Sequence, residues 1–105
     1  MDRVLLASGS DKGIELLSQL LKISGYGQII GTKSGNDARR CINQNEYELI
    51  VINTPLSDEF GHELSIKAAE SSNSGIILIC KSDISEEVSD KLSCYGVSVI
   101  PTPVN

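Results

Sequence analysis

Four short apolar runs dominate the chain: Val4-Leu5-Leu6-Ala7, Leu49-Ile50-Val51-Ile52, Ile76-Ile77-Leu78-Ile79 and Val97 to Ile100, with a weaker one at Ile29-Ile30. They are continuous rather than alternating. A strand with one wet face alternates apolar and polar residues, whereas a strand covered on both faces does not, so the runs predict parallel strands between two layers. The segments between them have helical spacing. Ile14, Leu17 and Leu21 share a face with Leu20, and Val88, Leu92 and Tyr95 form a stripe at i, i+4, i+7. Ala38, Cys41 and Ile42, then Leu64 and Ala68, mark two weaker helices.

Punctuation agrees with this division. Ser10, Ser34 and Ser85 are placed to cap the first, second and fourth helices. Gly25-Tyr26-Gly27 ends the first helix, and Gly96 follows the last as a C-terminal glycine does. Strands joined by helices need right-handed crossovers, which put helices on both faces of the sheet. The expected fold is therefore α/β: a three-layer, doubly wound, parallel five-stranded sheet of the flavodoxin-like order 2-1-3-4-5. In that topology a fifth helix lies beside the first. The sequence stops at Pro103-Val104-Asn105, just after the fifth strand. We therefore expect residues 1–105 to be one domain truncated before a fifth helix and an output domain, or one whose bare apolar surface a partner covers.

Charge narrows the classes of partner. The formal net charge is -5 and the longest basic cluster is Arg39-Arg40, so direct binding to nucleic acid by this domain is not expected. The sequence has neither a signal-like leader nor the ~18 apolar residues of a membrane span, and a cytoplasmic setting is the default. Cys41, Cys80 and Cys94 lack zinc-site spacing and are expected to be free, packed thiols.

The residues at the strand ends carry a family resemblance. Glu48-Leu49-Ile50-Val51-Ile52-Asn53 followed by Gly61 resembles the third strand of response-regulator receiver domains, which ends in a phospho-accepting Asp. Arg3-Val4-Leu5-Leu6-Ala7 resembles their opening strand, and Gly96 through Pro103 resembles their fifth strand with its Lys-Pro pair. The resemblance spans the chain, yet every working position departs from the family pattern. The acidic pair that holds Mg²⁺ falls on Ser8 and Gly9, and the acceptor Asp on Asn53. The Thr or Ser after the fourth strand falls on Ile79, the Lys on Thr102 and the aromatic switch on Val99.

These departures matter chemically. Phosphoryl transfer to a carboxylate needs an anionic nucleophile, a bridging metal and a cation over the transferring oxygens. An amide, a hydroxyl and a glycine supply none of these, and Mg²⁺ sheds its water only for strong oxygen donors. No enzymatic activity, cofactor or bound Mg²⁺ is therefore expected.

The remaining candidates have plainer explanations beside them. Asp11 reads as a first-turn carboxylate rather than a displaced metal ligand, and Asp58 and Glu59 as solvated loop acids. Lys81 with Ser8, Ser10 and Asn53 forms a candidate anion pocket. His62, the only histidine, reads as a surface residue at a helix start.

Two-component signalling is what the resemblance implies. The leading expectation is a pseudo-receiver that works through a protein partner or homodimer without Asp phosphorylation. Its candidate dimer face comprises Ile84, Val88, Lys91 and Tyr95. The C-terminal stretch is also similar to receivers joined to RNA-binding antiterminator outputs of the ANTAR type, implying an RNA- or DNA-binding output, and hence a role in transcription regulation, beyond Asn105. The alternatives are a phospho-acceptor using a substitute residue and a small-ligand sensor in the vacated pocket.

Overall fold

The computed structural model describes residues 3–102; the Pro103-Val104-Asn105 tail lies outside the described residues. The elements run β1 (Arg3–Ser8), α1 (Asp11–Ile23), β2 (Gln28–Thr32), α2 (Gly35–Gln44), β3 (Leu49–Asn53), α3 (His62–Ser71), β4 (Gly75–Lys81), α4 (Ser82–Leu92), a 3-10 turn (Ser93–Tyr95) and β5 (Val97–Thr102). All neighbouring strands pair in parallel in the order β2-β1-β3-β4-β5, as the apolar runs predict.

Because strand side chains alternate across the sheet, each run feeds two layers. Leu5, Ala7, Ile50, Ile52, Ile76, Leu78 and Cys80 point to one side and pack with Ala38 and Ile42 of α2, Leu64 and Ala68 of α3, and Val88 and Leu92 of α4. Val4, Leu6 and Val51 point to the other side, where Ile14, Leu17 and Leu21 of α1 cover them. The first side holds most of the buried core. The second is thin: between α1 and β5 an apolar groove lined by Leu17, Leu21, Val51, Ile77, Ile79 and Ile100 is open, and Leu20 and Ile100 are 52% and 44% exposed.

Serine caps set two of the four helix starts. The Ser10 hydroxyl accepts from the Gly13 amide at 3.2 Å and the Ser34 hydroxyl from the Asp37 amide at 3.1 Å, so both expected caps form. Ser85 does not cap α4. That helix starts directly off β4 with Lys81 as its N-terminal flank, and the Ser85 hydroxyl bonds the Ser82 carbonyl within the first turn. The Val88-Leu92-Tyr95 stripe also breaks at its end. The last turn tightens into the 3-10 segment closed by Gly96 at φ 79°, which swings Tyr95 out to 40% exposure.

Candidate site at the C-terminal edge of the sheet

Strand register brings the expected positions together. Ser8 ends β1 and Asn53 ends β3 as direct partners across the ladder, and the Asn53 amide donates to the Ser8 hydroxyl at 3.1 Å. The Ser10 amide points to the same hydroxyl at 3.4 Å. The head of α1 closes over this pair. A Cβ added at Gly13 would lie 2.7 Å from Ser8 Oγ and 2.9 Å from Asn53 Nδ2. Ser8, 1% exposed, is therefore satisfied inside the protein rather than presented to a ligand.

Gly9 is constrained by backbone. Its amide donates to the Pro55 carbonyl at 3.2 Å, and a Cβ there would meet Pro55 O at 2.8 Å, Leu56 C at 3.0 Å and Ser57 N at 3.1 Å. Real Cβ atoms do not approach backbone so closely, so a carboxylate-bearing residue fits only if the β3–α3 loop moves. A cation placed here would face the Ser10 hydroxyl, a buried Ser8 hydroxyl already bonded to Asn53, a neutral amide and a glycine pressed on peptide groups. That donor set does not fit a hard dication. Among the described residues, no group of three or more His, Cys, Asp or Glu side chains could hold a metal ion.

The other expected positions part company. Ile79 is not a residue after the fourth strand: β4 continues through Cys80 to Lys81, and Ile79 pairs with Asn53 on the α1 side as an apolar neighbour. Its carbonyl, rather than its side chain, serves the site, accepting from the Thr54 amide at 3.0 Å and the Thr54 hydroxyl at 2.8 Å. Thr102 lies in register with Lys81 and its hydroxyl bonds the Cys80 carbonyl at 3.3 Å. Val99 is half-buried against the main core. Of the four anion-pocket residues, Ser8, Ser10 and Asn53 form one hydrogen-bonded group, while Lys81 stands exposed at the start of α4.

The dimer face also needs correction. Val88 is 4% exposed inside the main core and Ile84 is half-buried against it, because α4 turns that stripe inward; Lys91 and Tyr95 alone remain on the surface. The thiols are free, but only Cys80 is buried. Cys41 is half-buried and Cys94 exposed, so packing does not explain all three. Burial holds the Cys80 thiol above its usual range.

Sequence reasoning missed what the loop acids do. Asp58 accepts from the Gly35 amide at 2.7 Å and the Asn36 amide at 3.2 Å, capping α2 from a distant loop, and Glu59 pairs with Arg39 through both guanidinium nitrogens. The backbone bonds to Gly35 and Asn36, with Arg39 nearby, lower the Asp58 pKa. Both pairs span more than 19 positions in sequence, so no local spacing signals them. Asp11 is a first-turn acid as expected and pairs with Lys33 at 2.7 Å.

His62 is less exposed than a surface residue would be. Its Nε2 is buried without a hydrogen-bond partner and its ring meets Phe60 edge-on at 4.5 Å. Burial, then the Lys91 charge, lowers its pKa below the usual 6.5. Both shifted groups make acid destabilising. The unfolded chain takes up a proton at His62 as pH falls below about 6.5, before the folded chain does; Asp58 repeats this below its ordinary 3.8. Urea unfolding at stepped pH should show stability dropping in both windows, with His62→Gln flattening the upper one only.

Comparisons place this geometry among known folds. No protein-family model matches the sequence, and no curated protein does. Solved structures do. The receiver domain of HemR from Leptospira biflexa superposes with a TM-score of 0.82 at 20% identity, covering 100% of this chain and 85% of that one. The response regulator TrrA from Thermotoga maritima, in complex with Mg²⁺ and BeF, gives 0.81 at 21%, covering 100% and 90%. The adenylate cyclase structure from Rhodopirellula baltica gives 0.84 at 19%, covering 99% and 78%. At such identities the likeness establishes the fold, that of a CheY-like receiver, and no more.

Proposed function

We propose that this chain is a signalling module of a two-component system that has kept the receiver fold and given up its phosphorylation chemistry, so that it acts through protein contacts. The observation that carries this reading is the closed edge of the sheet. Asn53 offers its amide to Ser8, Gly13 seals the pair, and Gly9 lies against the Pro55-Leu56-Ser57 backbone. An amide at Asn53, a hydroxyl at Ser8 and a crowded glycine speak against the anionic oxygen and the metal seat that phosphoryl transfer needs.

The partner surface follows from what the fold leaves bare. The groove between α1 and β5 is almost wholly apolar, and it is the place a fifth helix occupies in the expected topology. In this reading a helix beyond Asn105, leading to an RNA-binding output of the ANTAR type, or a helix from a partner, fills it. Lys91 and Tyr95 remain the exposed members of a second contact face.

Incubation with acetyl phosphate and Mg²⁺ followed by intact mass tests the central claim. The expected spectrum is unchanged; a gain of about 80 Da, one phosphoryl group, refutes it.

A further inference from the structure

The loop between β3 and α3, residues 54–61, bonds to four separate parts of the molecule. Toward β1, the Pro55 carbonyl accepts from the Gly9 amide at 3.2 Å. Toward β2, the Ser57 amide donates to the Lys33 carbonyl at 2.9 Å. Toward α2, Asp58 takes the Gly35 and Asn36 amides while Glu59 holds Arg39. Toward β4, Thr54 uses both its amide and its hydroxyl on the Ile79 carbonyl. The loop also braces itself, the Leu56 amide donating to the Glu59 carbonyl at 2.9 Å, and Leu56 is buried in the main core.

We propose that this loop is a clasp that couples the head of α2 to the β1–α1 loop, so that the edge carrying Ser8 and Asn53 and the α2 surface open and close as one unit. The charges arranged around it fit that role. Asp58 supplies the anion that the first two free amides of α2 need, Ser34 already serving the third. The half-buried Arg39–Glu59 pair fixes the loop's other end on the body of the helix. A Cβ at Gly35 would fall on the Glu59 carboxylate, so the helix head is shaped to admit the clasp. Gly9 and Gly35 lie 26 positions apart (35 − 9) and share no strand pair, yet one short loop bonds both. A partner that engages α2 thereby acts on the sheet edge, and the coupling is reciprocal.

Amide hydrogen exchange on the 105-residue chain tests this directly. Asp58→Ala removes the cap; the coupled unit predicts that exchange accelerates about tenfold or more at Gly35 and Asn36 and also at Gly9, which Asp58 does not touch. Leu5 and Ile50, in the central strands, should keep their protection. Acceleration confined to Gly35 and Asn36 would reduce Asp58 to an ordinary helix cap and overturn the proposal. Should Asp58→Ala unfold the chain, Glu59→Gln leaves the cap intact and must likewise speed exchange at Gly9; an unmoved Gly9 there is equally fatal. The outcome does not depend on whether Asn53 can accept phosphate, which the mass measurement decides separately.

Discussion

Gly9→Asp should melt well below the native protein, whereas Asn53→Asp should fold almost normally, and neither should take up a phosphoryl group. The two changes introduce acids one at a time but meet different surroundings. At Gly9 the new Cβ arrives 2.8 Å from a backbone carbonyl oxygen, and the carboxylate behind it must find room among the peptide groups of Pro55, Leu56 and Ser57. Only a shift of the whole loop relieves that contact, and Leu56, buried in the core, resists it. Overpacking of this kind costs about 1–3 kcal/mol, or a fall of ~4–8 °C for each kcal/mol in a domain of this size. At Asn53 the side chain is half-buried and its partner is a hydroxyl, which can donate as readily as accept, so an aspartate keeps the bond with the roles reversed. Thermal melts separate the two variants. A Gly9→Asp chain as stable as the native one would show that the loop yields and that the metal seat is recoverable.

How much of this was legible in the sequence depended on whether the determining contact is local. The apolar runs fixed the strands because burial on both faces is written residue by residue, and even the weak Ile29-Ile30 pair proved to be the edge strand β2. Ser10 and Ser34 were readable as caps because a cap lies three residues from its amide. Ser85 misled because α4 begins without a linker after β4, so the first serine of the segment, Ser82, is already helical. That β3 ends in an amide rather than a carboxylate was readable from Asn53 alone, but the reason a side chain at Gly9 finds no room was not. That reason lies in Pro55 and Ser57, which no pattern around Gly9 announces. Asp58 and Glu59 resemble any solvated loop acids until the fold brings α2 beside them. The family resemblance placed Val88 on a candidate dimer face because it points to the fourth helix as a whole; which α4 residues turn inward is set by packing, which buries Val88.

A distinction between two apolar faces leads to the other large effect. Ile50→Ala should cost about 2–5 kcal/mol, since Ile50 is fully buried among α2, α3 and the central strands and its loss leaves a cavity that close-packed neighbours cannot refill. In a domain whose total stability is of order 5–15 kcal/mol, that leaves a substantial unfolded population under mild urea. Ile79→Ala, on the α1 side, should cost about 1 kcal/mol or less. The Ile79 side chain lines an open groove, so truncation removes less buried area and water can fill the space. The gap between the two penalties measures how bare the groove is. If a helix or a partner seats there, Ile79 becomes a core residue and its penalty must climb toward that of Ile50. Urea unfolding of both variants, alone and with a longer chain or a candidate partner, reads this directly. A large Ile79 penalty in residues 1–105 alone would mean that the groove is already covered, for instance by self-association, and a concentration-dependent midpoint would confirm it.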